Sequence, residues 1–249
     1  MSDDPVPAPP PAPRLSIVIG SSREQKLPSL VLEHTIKKYA SQPIRVIHTY
    51  DMTFPTPASP KNRSRTGFSF ARFAIPALVG FSGHAAYLEC DQIVLEDPVR
   101  LLSLPFEGAT VLRTRKQTSV LVLDCDRLRW DVADIVARLD GGWFTYKGLM
   151  ENLCVEPSEN ISATIPQEWN SLEKYVPGET CLLHYTEMDL QPWRKWWPHP
   201  LKSLWLKELK AAVRAGLVTL DLIRHEVDRK YIVPQILEVA KTWAVPSTP

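Results

Sequence analysis

The first strong pattern in the chain is Leu15-Ser16-Ile17-Val18-Ile19-Gly20, a β-branched run that ends in a glycine turn and predicts a strand. Pro28 follows at a place where it can open a helix at its first position. Leu32, Thr35, Ile36, Tyr39 and Ala40 then recur at i, i+3, i+4, i+7 and i+8, the spacing of one helical face. Lys37 and Lys38 fall in the last turn, where cations suit the helix dipole. Ile44-Arg45-Val46-Ile47-His48 predicts a second strand. Strand, helix and strand at this length read as a βαβ unit with a parallel pair.

Residues 53–67 are rich in proline and basic residues and read as loop. A helix is predicted over 69–79, through Pro76, with Gly80 as its stop. Ala85-Ala86-Tyr87-Leu88-Glu89-Cys90 is almost wholly apolar, which suits the centre of a parallel sheet. Strands are expected at 111–113 and 120–123. Asp131 caps a helix whose apolar residues Val132, Ile135, Val136 and Leu139 share a face, and Gly141-Gly142 stops it. Helices are predicted at 201–215 and 219–243, separated by Gly216 and capped by Thr219.

The whole is an α/β pattern, a sheet flanked by helices with a C-terminal helical extension. It divides into a proline-rich tail at 1–13, a main domain at 14–193 and a basic, Trp-rich extension at 194–249. With 249 residues and 44% hydrophobic composition, the chain can bury a large core. Charge is nearly balanced, Lys+Arg 29 against Asp+Glu 28, which weighs against a nucleic-acid binder. No apolar run is long enough to span a membrane, and the Met1 end has no signal-peptide pattern, so a cytoplasmic location is expected. Cys90, Cys125, Cys154 and Cys181 are widely spaced without a C-x-x-C, which excludes a disulfide scaffold or a zinc ribbon. Cys90, Cys125 and Cys181 sit in apolar runs and are expected to be buried free thiols.

Three places carry candidate chemistry. Glu89 and Asp91 flank a small residue where an apolar strand runs out, at the sheet edge where open α/β folds bind ligands. Such hard oxygen ligands suit Mg²⁺ or Mn²⁺. His184 ends the apolar run Leu182-Leu183 and could complete an oxygen-rich site with a neutral imidazole. The turn Ile19-Gly20-Ser21-Ser22-Arg23-Glu24 follows the first strand, where nucleotides often lie, although it has neither a Walker nor a G-x-G-x-x-G pattern.

From Leu15 to about Trp193 these pieces together resemble the family 8 type of retaining glycosyltransferase, which has the GT-A fold. The opening strand, Arg23-Glu24 turn and helix match the family's start, and Phe68-Ser69-Phe70-Ala71-Arg72-Phe73 matches the helix whose arginine reaches the donor. Glu89-Cys90-Asp91 matches the metal-binding Asp-x-Asp, with Glu in the first place. Thr118 to Leu123 matches the strand lining the sugar pocket, and Ile165 to Asn170, His184-Tyr185-Thr186 and Gln191-Pro192-Trp193 match the closing segment. Gln191 stands where the family has a phosphate-binding lysine, and Thr145-Tyr146-Lys147 falls nearest to its Asp-Gln pair.

The resemblance implies metal-assisted transfer from a nucleotide-sugar, a UDP-sugar by preference, with retention of configuration. It implies Mn²⁺ or Mg²⁺ at Glu89, Asp91 and His184, and donor contacts from Ile19, Gly20, Ser21, Arg23, Arg72, Cys90, Ser119, Thr186 and Gln191. Tyr146 and Lys147 are the catalytic candidates. The alternatives are a non-catalytic descendant that binds a nucleotide-sugar or glycan, and a sugar-phosphate nucleotidyltransferase, whose glycine-rich loop is lacking here. The acceptor, a glycan or a lipid-linked molecule, is not written in these motifs. In the extension, Lys207, Lys210 and Arg214 share a helix face beside an apolar stripe of Leu206, Leu209 and Val213, with Trp196, Trp197 and Trp205 close by. That pattern makes the C-terminal helices candidates for peripheral contact with the inner membrane face.

Overall fold

The computed structural model describes residues 15–64, 66–115 and 117–243. The tail assigned to residues 1–13 lies outside them. Strand β1 (Leu15–Gly20) leads through a 3-10 turn into α1 (Lys26–Tyr39) and β2 (Arg45–His48), which pairs parallel to β1 as the βαβ reading requires. Pro28 is the third residue of α1, not the first. It is tolerated there because a first-turn N–H has no helical partner to lose.

The predicted helix over 69–79 is interrupted. Residues Ser69–Ala74 form a 3-10 helix and α2 covers only Ile75–Leu78, with Pro76 in its first turn. Proline cannot donate to an α-helical ladder arriving from Arg72, so the regular helix restarts at it. Next come β3 (His84–Glu89), β4 (Gln92–Val94), α3 (Pro98–Leu102), β5 (Val111–Thr114), β6 (Val120–Asp124) and α4 (Val132–Asp140). Asp131 caps α4 as expected, accepting from the backbone of Ala133 and Asp134.

Helix α5 (Tyr146–Asn152) and strands β7 (Ile161–Ile165) and β8 (Ser171–Leu172) are too short and polar for the pattern to announce, whereas β9 (Leu182–His184) is the short apolar run that His184 closes. Helix α6 (Pro200–Arg214) agrees with expectation. The helix predicted over 219–243 is two, α7 (Leu220–Asp228) and α8 (Gln235–Lys241). Lys230 between them has φ +60°, a left-handed turn that no helix carries through, and Pro234 precedes the restart.

The main sheet runs β2-β1-β3-β6-β5-β7, and a small one runs β4-β9-β8. Strand β3 is parallel to β1 and antiparallel to β6, so the sheet is mixed. Its Ala86 and Leu88 pack into one cluster with Ile17, Ile19 and Val122, while Ala85 and Tyr87 pack into another with Val18 and Leu121. Burial on both faces explains why β3 reads as a continuous apolar run.

A third cluster joins Leu27 and Val31 of α1 to Trp193, Trp205, Leu209 and Ile223. Lys38 of α1 bonds the buried Glu208 of α6 at 2.8 Å. Trp205 and Leu209, read as surface-seeking from the sequence, are therefore core residues, and only Trp197 of that group is strongly exposed. Among the described residues no helix is long and apolar enough to cross a membrane. Cys90 and Cys125 are buried as expected, whereas Cys181 is half-buried because β9 begins one residue later.

Candidate active site

Three strands of the main sheet meet at one of its edges. Strands β1 and β3 finish there at Gly20 and Glu89, and β6, running the other way, starts there after Thr118 and Ser119. The pairing of β4 with β9 sets Gln92 opposite His184, and Tyr185 donates its backbone N–H to the carbonyl of Asp91 at 2.8 Å. This register brings His184 to the two carboxylates although more than ninety positions separate them in sequence.

Glu89, Asp91 and His184 each offer one ligand atom, and these atoms lie within 4.8 Å of one another. His184 Nε2 is 3.1 Å from Asp91 Oδ1 and 3.7 Å from Glu89 Oε2. On the other side of the ring, Nδ1 is 2.9 Å from Asn170 Oδ1. Asn170 is completely buried, and its amide donates to Ser119 Oγ at 3.0 Å and Gln117 Oε1 at 2.9 Å. Its oxygen must then accept, so Nδ1 carries the proton and Nε2 is left for the carboxylates. This arrangement holds an imidazole ready as a metal ligand. Two hard oxygens and one imidazole fit a divalent ion such as Mn²⁺ or Mg²⁺.

Arg72 is buried beside this group. Its Nε donates to Ser69 O at 3.1 Å, and Nη1 donates to Thr118 O at 3.1 Å and Thr118 Oγ1 at 2.7 Å. Its Nη2 donates to Glu89 Oε1 at 3.1 Å, and the guanidinium stacks over the Tyr87 ring at 4.9 Å. Burial pushes the Glu89 carboxyl upward, and Arg72 offsets this only in part. Burial pushes His184 downward, but the charge and hydrogen bond of Asp91, with Glu89 and Glu173 behind them, leave it raised overall. In the metal-free protein the imidazole therefore holds its second proton more tightly than an ordinary histidine does.

These groups line a cleft of about 560 Å³ together with Ser119, Thr186 and Glu151. A second cavity of about 380 Å³ adjoins it, sharing Arg72, Glu89, Thr118 and Glu151, and Tyr146 and Lys147 face this one. Ser21 and Arg23 line a third hollow of about 310 Å³ with Tyr50 and Phe68, at the ends of β1 and β2. Glu89, Asp91, His184, Arg72, Ser119, Thr186, Tyr146, Lys147, Ser21 and Arg23 thus line three hollows, while the remaining sequence-named residues do not.

Some of them hold the site from within. The side chains of Ile19 and Cys90 are in the core. Gly20 lies against Tyr87, where an added Cβ would meet the phenol oxygen. Gln191 is buried behind Asp91, donating to its Oδ2 at 3.2 Å and to Tyr185 O at 2.9 Å. It braces the carboxylate from the protein side and is absent from the cleft wall. Gln92, Gln117 and Glu151 received no role from the sequence, and Thr118 and Asn170 only a place in segments that match the family. They are polar residues with ordinary spacing, and only the folded contacts give them a role.

No family model matches the sequence, and no curated protein matches it. Solved structures do match in fold. The apo form of the glycosyltransferase GlyE from Streptococcus pneumoniae TIGR4 superposes with a TM-score of 0.56 at 14% identity, over 88% of this chain and 64% of that one. The galactosyltransferase LgtC, in complex with donor and acceptor sugar analogues, gives 0.56 at 11% identity, over 82% of this chain and 100% of that one. The bifunctional glycosyltransferase WbbM gives 0.55 at 12% identity, over 78% and 49%. The chain therefore spans under two thirds of GlyE and about half of WbbM. At these identities the likeness is one of fold: the chain has the GT-A fold of these glycosyltransferases, in line with the family 8 resemblance its motifs carry.

Proposed function

We propose that this chain transfers a sugar from a nucleotide-sugar, a UDP-sugar by the motif resemblance, to a glycan or lipid-linked acceptor with retention of configuration. The observation that carries the reading is the Glu89, Asp91 and His184 cluster at the sheet edge of a GT-A fold, with Arg72 against it. The three would hold Mn²⁺ or Mg²⁺, and a bound ion would supply Lewis-acid stabilisation of the charge that grows on the departing diphosphate.

The chain's own residues prepare the place. Asn170 fixes the His184 ring, Gln191 braces Asp91, and Arg72 holds a buried positive charge beside Glu89. Ser21 and Arg23 offer a hollow for the nucleoside. Tyr146 and Lys147, which line the second cavity, would act beside the reacting sugar carbon. A peripheral contact with an anionic membrane at the inner face would use the exposed Trp197, Lys207 and Arg214, and co-sedimentation with anionic vesicles at low salt tests it.

The central test is release of nucleoside diphosphate from a panel of nucleotide-sugars with Mn²⁺ and with EDTA. Metal-dependent release and a glycosylated product support transfer. Binding of neither nucleotide nor sugar conjugate rejects it.

One observation favours a second reading, a non-catalytic binder of nucleotide-sugars. Arg72 spends four hydrogen bonds on protein atoms and Gln191 donates inward, so few free donors are left for phosphate. Metal-dependent donor binding without turnover would select it.

A further inference from the structure

The wall between the two adjoining chambers consists of Arg72, Glu89, Thr118 and Glu151. Arg72 bonds to both Glu89 and Thr118. Glu151 stands apart: among the described residues its carboxylate has one partner, Lys147 Nζ at 3.8 Å, and both side chains are largely exposed. Such a pair contributes little to folding.

The backbone beneath Glu151 is nevertheless fixed. Thr118 Oγ1 accepts from Arg72 Nη1 at 2.7 Å and donates to Met150 O at 2.6 Å, which ties the last turn of α5 to the buried arginine. Leu149 is buried in the core, and the buried Leu153 closes the helix in a left-handed conformation, φ +52°. The fold thus anchors the helix end and leaves its carboxylate available in the cleft.

The order of groups along the sheet edge decides what meets that carboxylate. The hollow of Ser21 and Arg23 lies by β1 and β2, the acidic cluster at the end of β3, and Thr118 and Ser119 before β6. A nucleotide-sugar with its nucleoside in the hollow and its diphosphate at the cluster carries its sugar onward to β6 and α5. A sugar ring offers several hydroxyl donors, and a carboxylate accepts two such bonds with charge assistance. We infer that Glu151 accepts hydrogen bonds from hydroxyls of the donor sugar and positions that sugar between the two chambers. The inference rests on the nucleotide-sugar reading above.

The experiment measures affinities in matched pairs: UDP against UDP-glucose and UDP-galactose, GDP against GDP-mannose, and ADP against ADP-glucose, all with Mn²⁺. Wild type, Glu151→Gln, Glu151→Ala and Glu151→Asp are compared by isothermal titration, with thermal melting as a check on folding. The expected result is about a tenfold weakening of the sugar conjugate in Glu151→Gln and Glu151→Ala, with the bare diphosphate within about twofold of wild type. Glu151→Asp should recover part of the loss. Equal weakening of both ligands, or no weakening of either, would overturn the inference alone, whereas a wild type that binds the diphosphate but no conjugate would overturn the nucleotide-sugar reading and the inference together. A wild type that binds no nucleotide at all would overturn the nucleotide-sugar reading and the inference with it.

Discussion

Glu89 reaches Arg72: its Oε1 lies 3.1 Å from Nη2, while its other carboxylate oxygen lies 3.7 Å from His184 Nε2. An aspartate at this backbone position, one methylene shorter, would fall short of one of these partners. The glutamate in the first place of the acidic motif is therefore the residue that links the buried arginine to His184.

Arg72→Ala should lower stability by about 2–3 kcal/mol, because it deletes four hydrogen bonds and removes the permanent positive charge bonded to the buried Glu89. Arg72→Lys should recover little, since an ammonium cannot reproduce the planar fork to Ser69, Thr118 and Glu89. Urea unfolding measures both. An alanine variant as stable as wild type would show that the arginine's network is dispensable.

Asp91→Ala should abolish Mn²⁺-dependent nucleotide binding while preserving the fold. The side chain caps the end of a strand and bonds only to His184 and Gln191 among the described residues. Calorimetric titration with UDP, with and without Mn²⁺, reads the outcome. Unchanged affinity in both conditions would remove the metal centre.

Proton and metal compete for His184. Its folded pKa is raised, so below that value Nε2 carries a proton that an ion must displace, and Mn²⁺ affinity should fall by about tenfold per pH unit there. The metal-free protein behaves oppositely. The stabilisation from the charged imidazole is fully present below the ordinary histidine value and is lost as pH rises through the raised one. Metal titrations and EDTA melts between about pH 5.5 and 8 measure the two trends, and affinity that does not vary with pH would contradict the assignment.

Gly20→Ala tests how the sheet holds the site. An added Cβ would sit 2.3 Å from Tyr87 Oη and 2.7 Å from its ring carbons. Tyr87 is fully buried and supports the Arg72 guanidinium, so it cannot move without disturbing the charged network. The variant should lose about 2 kcal/mol of stability and weaken Mn²⁺ binding. Melting and metal titration that both match wild type would show that the ring has room to yield.

Where local pattern sufficed, the sequence by itself determined the outcome. Residues 15–20 and 85–90 announced strands because β-branched and apolar runs have few other uses, and Asp131 announced a helix because its side chain satisfies two orphan N–H groups. The acidic ends of β3 and the histidine of β9 were visible as polar residues closing apolar runs. The tertiary structure decided everything that depends on distant segments meeting. Asn170 looks like any loop asparagine until β8 and β9 bring it to His184, and Gln191 resembles a phosphate contact until its amide is found behind Asp91. The Trp-rich extension reads as a membrane-facing surface, yet Trp205 and Leu209 are buried with α1, because amphipathicity names a buried face without naming what buries it.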